Sequence, residues 1–381
     1  MNIKSMLITT LVIVACLSPI LLAHVVWRFA PVRSLDLLVV DYSVPKVDYW
    51  NHKGLFWLLN HLRILEPVHK DDWLPERDYI GFDPRGEGRS TRIVSADLSS
   101  KRWVYLADTY GVHVNDRKPA AHDTVIKGFV FGGLNDADAN ALKTFVERGG
   151  SIISEFNSLS DPTPETARAI MTNIMDIEWL GWSGRFVSDF GPVPKQYPWF
   201  EKLYHQNYGK TSMPAGPGMM LIHESGKMVV LHGAPFEQSM PSLALTPLGK
   251  EWMDTPVGTP PYYGWFGVID TGNDTDVLAE IIMPTPKDWD AQFRPEGIPQ
   301  KFPLLTRKKQ KKTEQIYIAA NVSVVDEVPT LHSLAFLPKL LSTIHRRRDS
   351  QHHGPTYWQF FVPVIGKILV DAADQEATQK K

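Results

Sequence analysis

Four carboxylates in this 381-residue chain stand where a site is most easily built. Asp41 ends the apolar run 35–41, Asp83 ends 78–83, Asp108 ends 102–108, and Glu155 ends 151–155. Short apolar runs of this kind read as strands, and ligands of open α/β sheets gather beyond the carboxyl ends of the strands. Four carboxyl groups on one rim have the oxygen donors for a divalent cation, or the acid and base for glycoside hydrolysis. The same groups also suit helix caps, or ion pairs with Arg85, Arg89, Arg92 and Lys101. Both uses stay open, and so does the question of a metal. Tyr110 and Asn157 neighbour the rim, and Gly132 and Gly133 close a further strand. These four are candidate ligand-binding positions.

Other chemistries find less support. The single cysteine, Cys16, lies in an N-terminal apolar segment, so the rest of the chain offers no disulfide, cysteine-ligated zinc or thiol nucleophile. His52, His61 and His113 titrate in a useful range, yet none has metal-ligand spacing, and His52 and His61 fall on roughly opposite sides of a helix. Neither a nucleophile elbow nor a phosphate-binding loop is present, so no cofactor is expected. A net charge of -2 lacks the basic field of a nucleic-acid binder. Aromatics crowd 179–289: Trp179, Trp182, Trp199, Trp252, Tyr262, Tyr263, Trp265 and Trp289. Such rings stack on sugars or fill a core. The basic runs 307–312 and 346–348 suit either lipid headgroups or a solvated loop.

The elements that must position these groups alternate between strand and helix. Residues 52–64 place Leu55, Leu58, Leu59 and Leu62 at helical spacing. A strand over 126–131 ends in Gly132-Gly133, Asn135 is placed to cap a helix, and Gly149-Gly150 stops it before the strand 151–155. Residues 216–232 read as a hairpin turning at Glu224-Ser225-Gly226, and helices are expected over 334–348 and 357–373.

The stretch FVFGGLNDADANALKTFVERGGSIISEFN resembles the strand, helix and strand of the class I glutamine amidotransferase-like superfamily, a resemblance that covers residues 35–235. The resemblance implies a mostly parallel, flavodoxin-like sheet with helices on both faces. Enzymes of that group use a cysteine on a sharp strand-to-helix turn with a His and a Glu. This chain has no cysteine there, and His223 and His232 lack a partner motif. The resemblance therefore implies a scaffold without amidotransferase chemistry.

Residues 5–27 carry no Asp, Glu, Lys or Arg, and at about 1.5 Å per residue they match a bilayer core of about 30 Å. The expected organisation is a membrane anchor over 1–33, an α/β domain over 34–235 and a packed extension over 236–381. Lipidation at Cys16 and a cleaved signal are the alternatives to an anchor. The sequence thus predicts a single-pass protein of the bacterial inner membrane, its bulk outside the cytoplasm. Its expected role is accessory, binding a glycan or an envelope protein in polysaccharide assembly, with no nucleic acid. The alternative is a carbohydrate hydrolase that uses the rim carboxylates.

Overall fold

The computed structural model describes residues 17–86, 90–114, 128–193, 197–209, 212–284, 289–310, 313–345 and 353–379. Five parallel strands carry the carboxyl ends on which the rim is built. In spatial order they are Ile80–Gly81, Leu37–Asp41, Trp103–Asp108, Ser151–Glu155 and Thr313–Ile318. Every residue of Trp103–Asp108 and Ser151–Glu155 is buried, which explains why these strands read as continuous rather than alternating runs.

Successive side chains of the central strands feed two different cores. Val39, Tyr105 and Ile153 meet the helices Lys53–His61 and Val362–Gln379 through Leu55, Leu59, Ile365 and Leu369. Val40, Leu106 and Ile152 point the other way, onto Asp136–Glu147 and Glu165–Met175 through Leu142 and Met171. Asn135 caps the first of that second pair in a reciprocal capping box with Asp138. Gly149, at φ +96°, follows the helix end in a conformation that favours glycine.

The expected mostly parallel sheet is corrected to a mixed one of eight strands. Beyond Thr313–Ile318 it continues antiparallel through Phe302–Gln310, Thr275–Ile282 and Ser242–Leu245. The cause lies in the connections: only residues 311 and 312 separate Phe302–Gln310 from Thr313–Ile318, whereas a parallel return needs a crossover of about a dozen residues. The basic run at 307 is therefore largely strand, with Arg307 paired to Asp276 and Lys309 to Glu314. Residues 346–348 lie outside the described set.

The strand before Gly132 also differs from expectation. Phe129–Phe131 pairs antiparallel with Val112–His113 in a separate two-stranded sheet, so it is not the first strand of a β-α-β unit in the main sheet.

The N-terminal transmembrane helix is corrected as well. Among the described residues no helix is long and apolar enough to cross a membrane. Of the 5–27 run, the described part is helical from residue 17 and its last turns are tied to the rest of the chain. The Trp27 indole donates to the His61 carbonyl at 2.8 Å, Ala335 N–H donates to the Ala23 carbonyl at 3.2 Å, and the Arg63 guanidinium lies over the Trp27 ring. Much of this helix stays exposed, Leu21 to 64% and Leu22 to 61%, and its apolar composition alone does not say what it packs on. The inner-membrane location, with the envelope and periplasmic setting inferred from that span, falls with it.

A second, four-stranded antiparallel sheet runs Met228–His232, Gly218–His223, Ile177–Val187, Trp265–Thr271. Its inner face (Trp182, Phe186, Leu221, Phe266) joins the first core. Part of its outer face (Val187, Met220, Val230) is covered by helix Pro198–Tyr208 through Phe200 and Tyr204. The rest of that outer face stays open toward the rim of the main sheet.

Candidate functional site: a saturated rim beside an aromatic cleft

Three of the four carboxylates come together on adjacent strand ends, and all three are buried. Asp41 Oδ1 accepts the Ser43 backbone N–H at 2.8 Å, while Oδ2 lies 2.7 Å from His52 Nδ1. His52 is itself fully buried, its Nε2 facing the Pro75 carbonyl at 2.9 Å. Asp108 accepts from Ser43 Oγ at 2.5 Å, from Tyr110 N–H at 2.7 Å and from Asn157 Nδ2 at 2.7 Å. Glu155 accepts from the Tyr105 hydroxyl at 2.6 Å and the Ser323 hydroxyl at 2.7 Å.

Burial decides the protonation of two of these groups. It pushes the Asp108 carboxyl up to about 6, with the charge of Asp41 adding to the rise and the bonds from Ser43, Asn157 and Tyr110 opposing it. Glu155 is pushed up to about 8 by burial, against the bonds from Tyr105 and Ser323. Every carboxylate of the trio is thus turned onto protein donors. Asp83 stands apart, its Oδ1 accepting from Arg85 N–H at 2.9 Å and Arg85 Nε at 3.3 Å in an exposed pair.

Tyr110 and Asn157 do reach an open site. They line a cleft of about 580 Å³ between the rim and the outer face of the second sheet. Trp179, Tyr197, Trp199 and Trp265, all half-buried, supply its aromatic surface. Asn157, Ser160, Asp161, His223, Glu224 and Asn321 add polar edges. Gly181, at φ +77°, keeps the floor open, since a Cβ there would stand 2.4 Å from His223 Nε2. Arg168 lies 4.3 Å over the Trp179 ring and pairs with Glu224 at 2.9 Å, fixing one wall.

Gly132 and Gly133 lie outside this lining. They let two backbone segments approach: a Cβ on Gly132 would meet Gly111 Cα at 2.4 Å, and one on Gly133 would meet the Pro162 carbonyl oxygen at 2.7 Å. A hollow of about 620 Å³ at the opposite end of the parallel strands, near Asp36, Lys101 and Arg148, has only Phe145 as an aromatic wall. The cleft has the apolar, concave lining with few convergent polar groups that small-molecule sites share.

No family model matches the chain, and no curated protein matches it. Among solved structures it is similar to a β-galactosidase from Bacillus circulans sp. alkalophilus, at 13% identity and a TM-score of 0.35, over 75% of this chain and 28% of that one. An α-L-fucosidase isoenzyme 2 from Paenibacillus thiaminolyticus matches at 12% identity and 0.38, over 92% and 35%. A ThuA-like protein from Bacteroides uniformis ATCC 8492 matches at 8% identity and 0.33, over 86% and 97%. The chain spans about a third of the length of the two glycosidases, and likenesses this slight carry no argument about activity. The amidotransferase-like pattern of residues 35–235 accordingly remains a resemblance.

Sequence reasoning did not find Ser43, Tyr105 or Ser323 as partners of the rim, nor His52 as the partner of Asp41. Ser323 lies 168 positions from Glu155, and no local pattern links them. Arg185 and Asn321 also escaped notice. The aromatic crowding at 179–289 was the available signal for the cleft.

Proposed function

We propose that this protein binds a saccharide in the aromatic cleft without hydrolysing it. The observation that carries the reading is the half-buried set Trp179, Tyr197, Trp199 and Trp265 around one open hollow beside Asn157 and Asn321. Sugars present apolar ring faces edged by hydroxyls, which suits aromatic platforms flanked by amides. The non-hydrolytic part rests on the carboxylates. Hydrolysis needs an acid and a base about 5–10 Å apart across an open cleft. Asp41, Asp108 and Glu155 are buried with protein donors on their oxygens. Asp161 and Glu224 do line the cleft, but Asp161 is exposed and the Glu224 side chain is 40% exposed and paired to Arg168.

The test is tryptophan fluorescence titrated with neutral and acidic oligosaccharides, alongside an assay for new reducing ends. Binding is expected from at least one saccharide class, weakened about tenfold by Trp179→Ala or Trp265→Ala, a loss of about 1.4 kcal/mol. No new reducing ends are expected. A flat titration across all saccharides defeats the binding reading, and turnover defeats the non-hydrolytic one.

A further inference from the structure

Resting on the saccharide reading, we infer that the ligand is an acidic sugar, a hexuronate whose carboxylate is held by Arg185 and Tyr197 at one end of the cleft. Arg185 lies two residues beyond the cleft-lining Ser183 on strand Ile177–Val187, so both side chains leave the same face. It is cross-strand to Trp265. Its guanidinium lies 5.4 Å from the Tyr197 ring centre and 5.7 Å from that of Trp265, so two cleft aromatics hold it.

Two arginines lie against rings of the cleft from just outside its lining, and they differ in charge balance. Arg168 is neutralised by Glu224, whereas Arg185 forms no ion pair among the described residues. Its hydrogen bond goes to the Tyr197 hydroxyl. A half-buried guanidinium spent on a neutral partner keeps donors for an anion, and its planar fork matches a carboxylate in a bidentate pair. The Tyr197 oxygen accepts from Arg185, which leaves the Tyr197 proton free to donate to another acceptor. Both groups flank the Trp265 ring, Tyr197 at 6.2 Å between ring centres and Arg185 across the strand pair, and that ring is where we place the sugar. Asp161 opposes an anion in sign, yet it is exposed, where water and salt screen its charge.

The experiment compares a polyuronate oligomer with the same oligomer methyl-esterified, both titrated against the full chain at low and moderate salt. The acid is expected to bind about tenfold or more tightly than the ester, as a charge-assisted hydrogen bond allows. Arg185→Gln should bring acid and ester to within about twofold of each other, and Tyr197→Phe, which keeps the ring, should remove part of the preference. Near-ultraviolet circular dichroism checks that both variants fold. Equal binding of acid and ester, or a preference that survives Arg185→Gln, overturns the inference while leaving saccharide binding intact. Failure of every saccharide to bind removes the reading beneath it as well.

Discussion

The rim and the cleft lie side by side and are built on opposite plans. At the rim, Asp41, Asp108 and Glu155 are carboxyl groups taken out of water, each oxygen pair turned onto protein partners. In the cleft, large apolar rings stay half in water, and the polar side chains of Asn321 and Ser160 line the same open hollow. Buried carboxylates ordinarily invite an active-site reading. Here their satisfaction argues for scaffold, and the unsatisfied surface next door argues for recognition. Asn157 joins the two regions, donating to Asp108 while lining the cleft, so the rim sets the position of at least one cleft side chain.

That contrast can be broken most sharply at His52. His52→Ala leaves Asp41 buried without its partner and should cost about 3–5 kcal/mol of stability, read by denaturant unfolding. A loss under about 1 kcal/mol would mean that Asp41 is wetter than the buried rim allows.

Glu155 tests the same plan through pH. Its carboxyl holds a proton to about pH 8 when folded but only to about 4.5 when unfolded, so between these values the folded state binds more protons. Stability from this group is therefore present at low pH and is lost as pH rises toward 8. Relative to wild type, Glu155→Gln should gain on the order of 3 kcal/mol between pH 5 and pH 8. A difference that does not change with pH would show that Glu155 is not held protonated. The smallest effect belongs to Asp83. Asp83→Ala removes an exposed pair with Arg85 and should change stability by less than about 1 kcal/mol, with saccharide affinity unchanged. A larger loss would tie Asp83 to the buried trio after all.

Much of the strand and helix pattern was legible beforehand. The apolar runs placed Asp41, Asp108 and Glu155 at strand ends, with Asp83 wrongly added to them, and Asn135 with Gly149 marked the limits of one helix. The burial of those carboxylates was not legible, because their partners arrive from distant segments: Tyr105 lies 50 positions from Glu155, and Ser43 lies 65 from Asp108. Nor could the apolar N-terminal run say what it packs on, which depends on His61, Arg63 and the segment around Ser333.

The aromatic region shows the division most plainly. By itself the sequence determined that tryptophans and tyrosines crowd the region between residues 179 and 289. Tertiary structure sorted them, burying Trp182, Tyr262 and Trp289 to 2–4% exposure and leaving Trp179, Trp199 and Trp265 around an open cleft. Strand alternation assigns each side chain to one of two faces, but which face is covered depends on whatever packs there. For the second sheet the inner face met the core, the helix Pro198–Tyr208 reached only part of the outer face, and the remainder became the site.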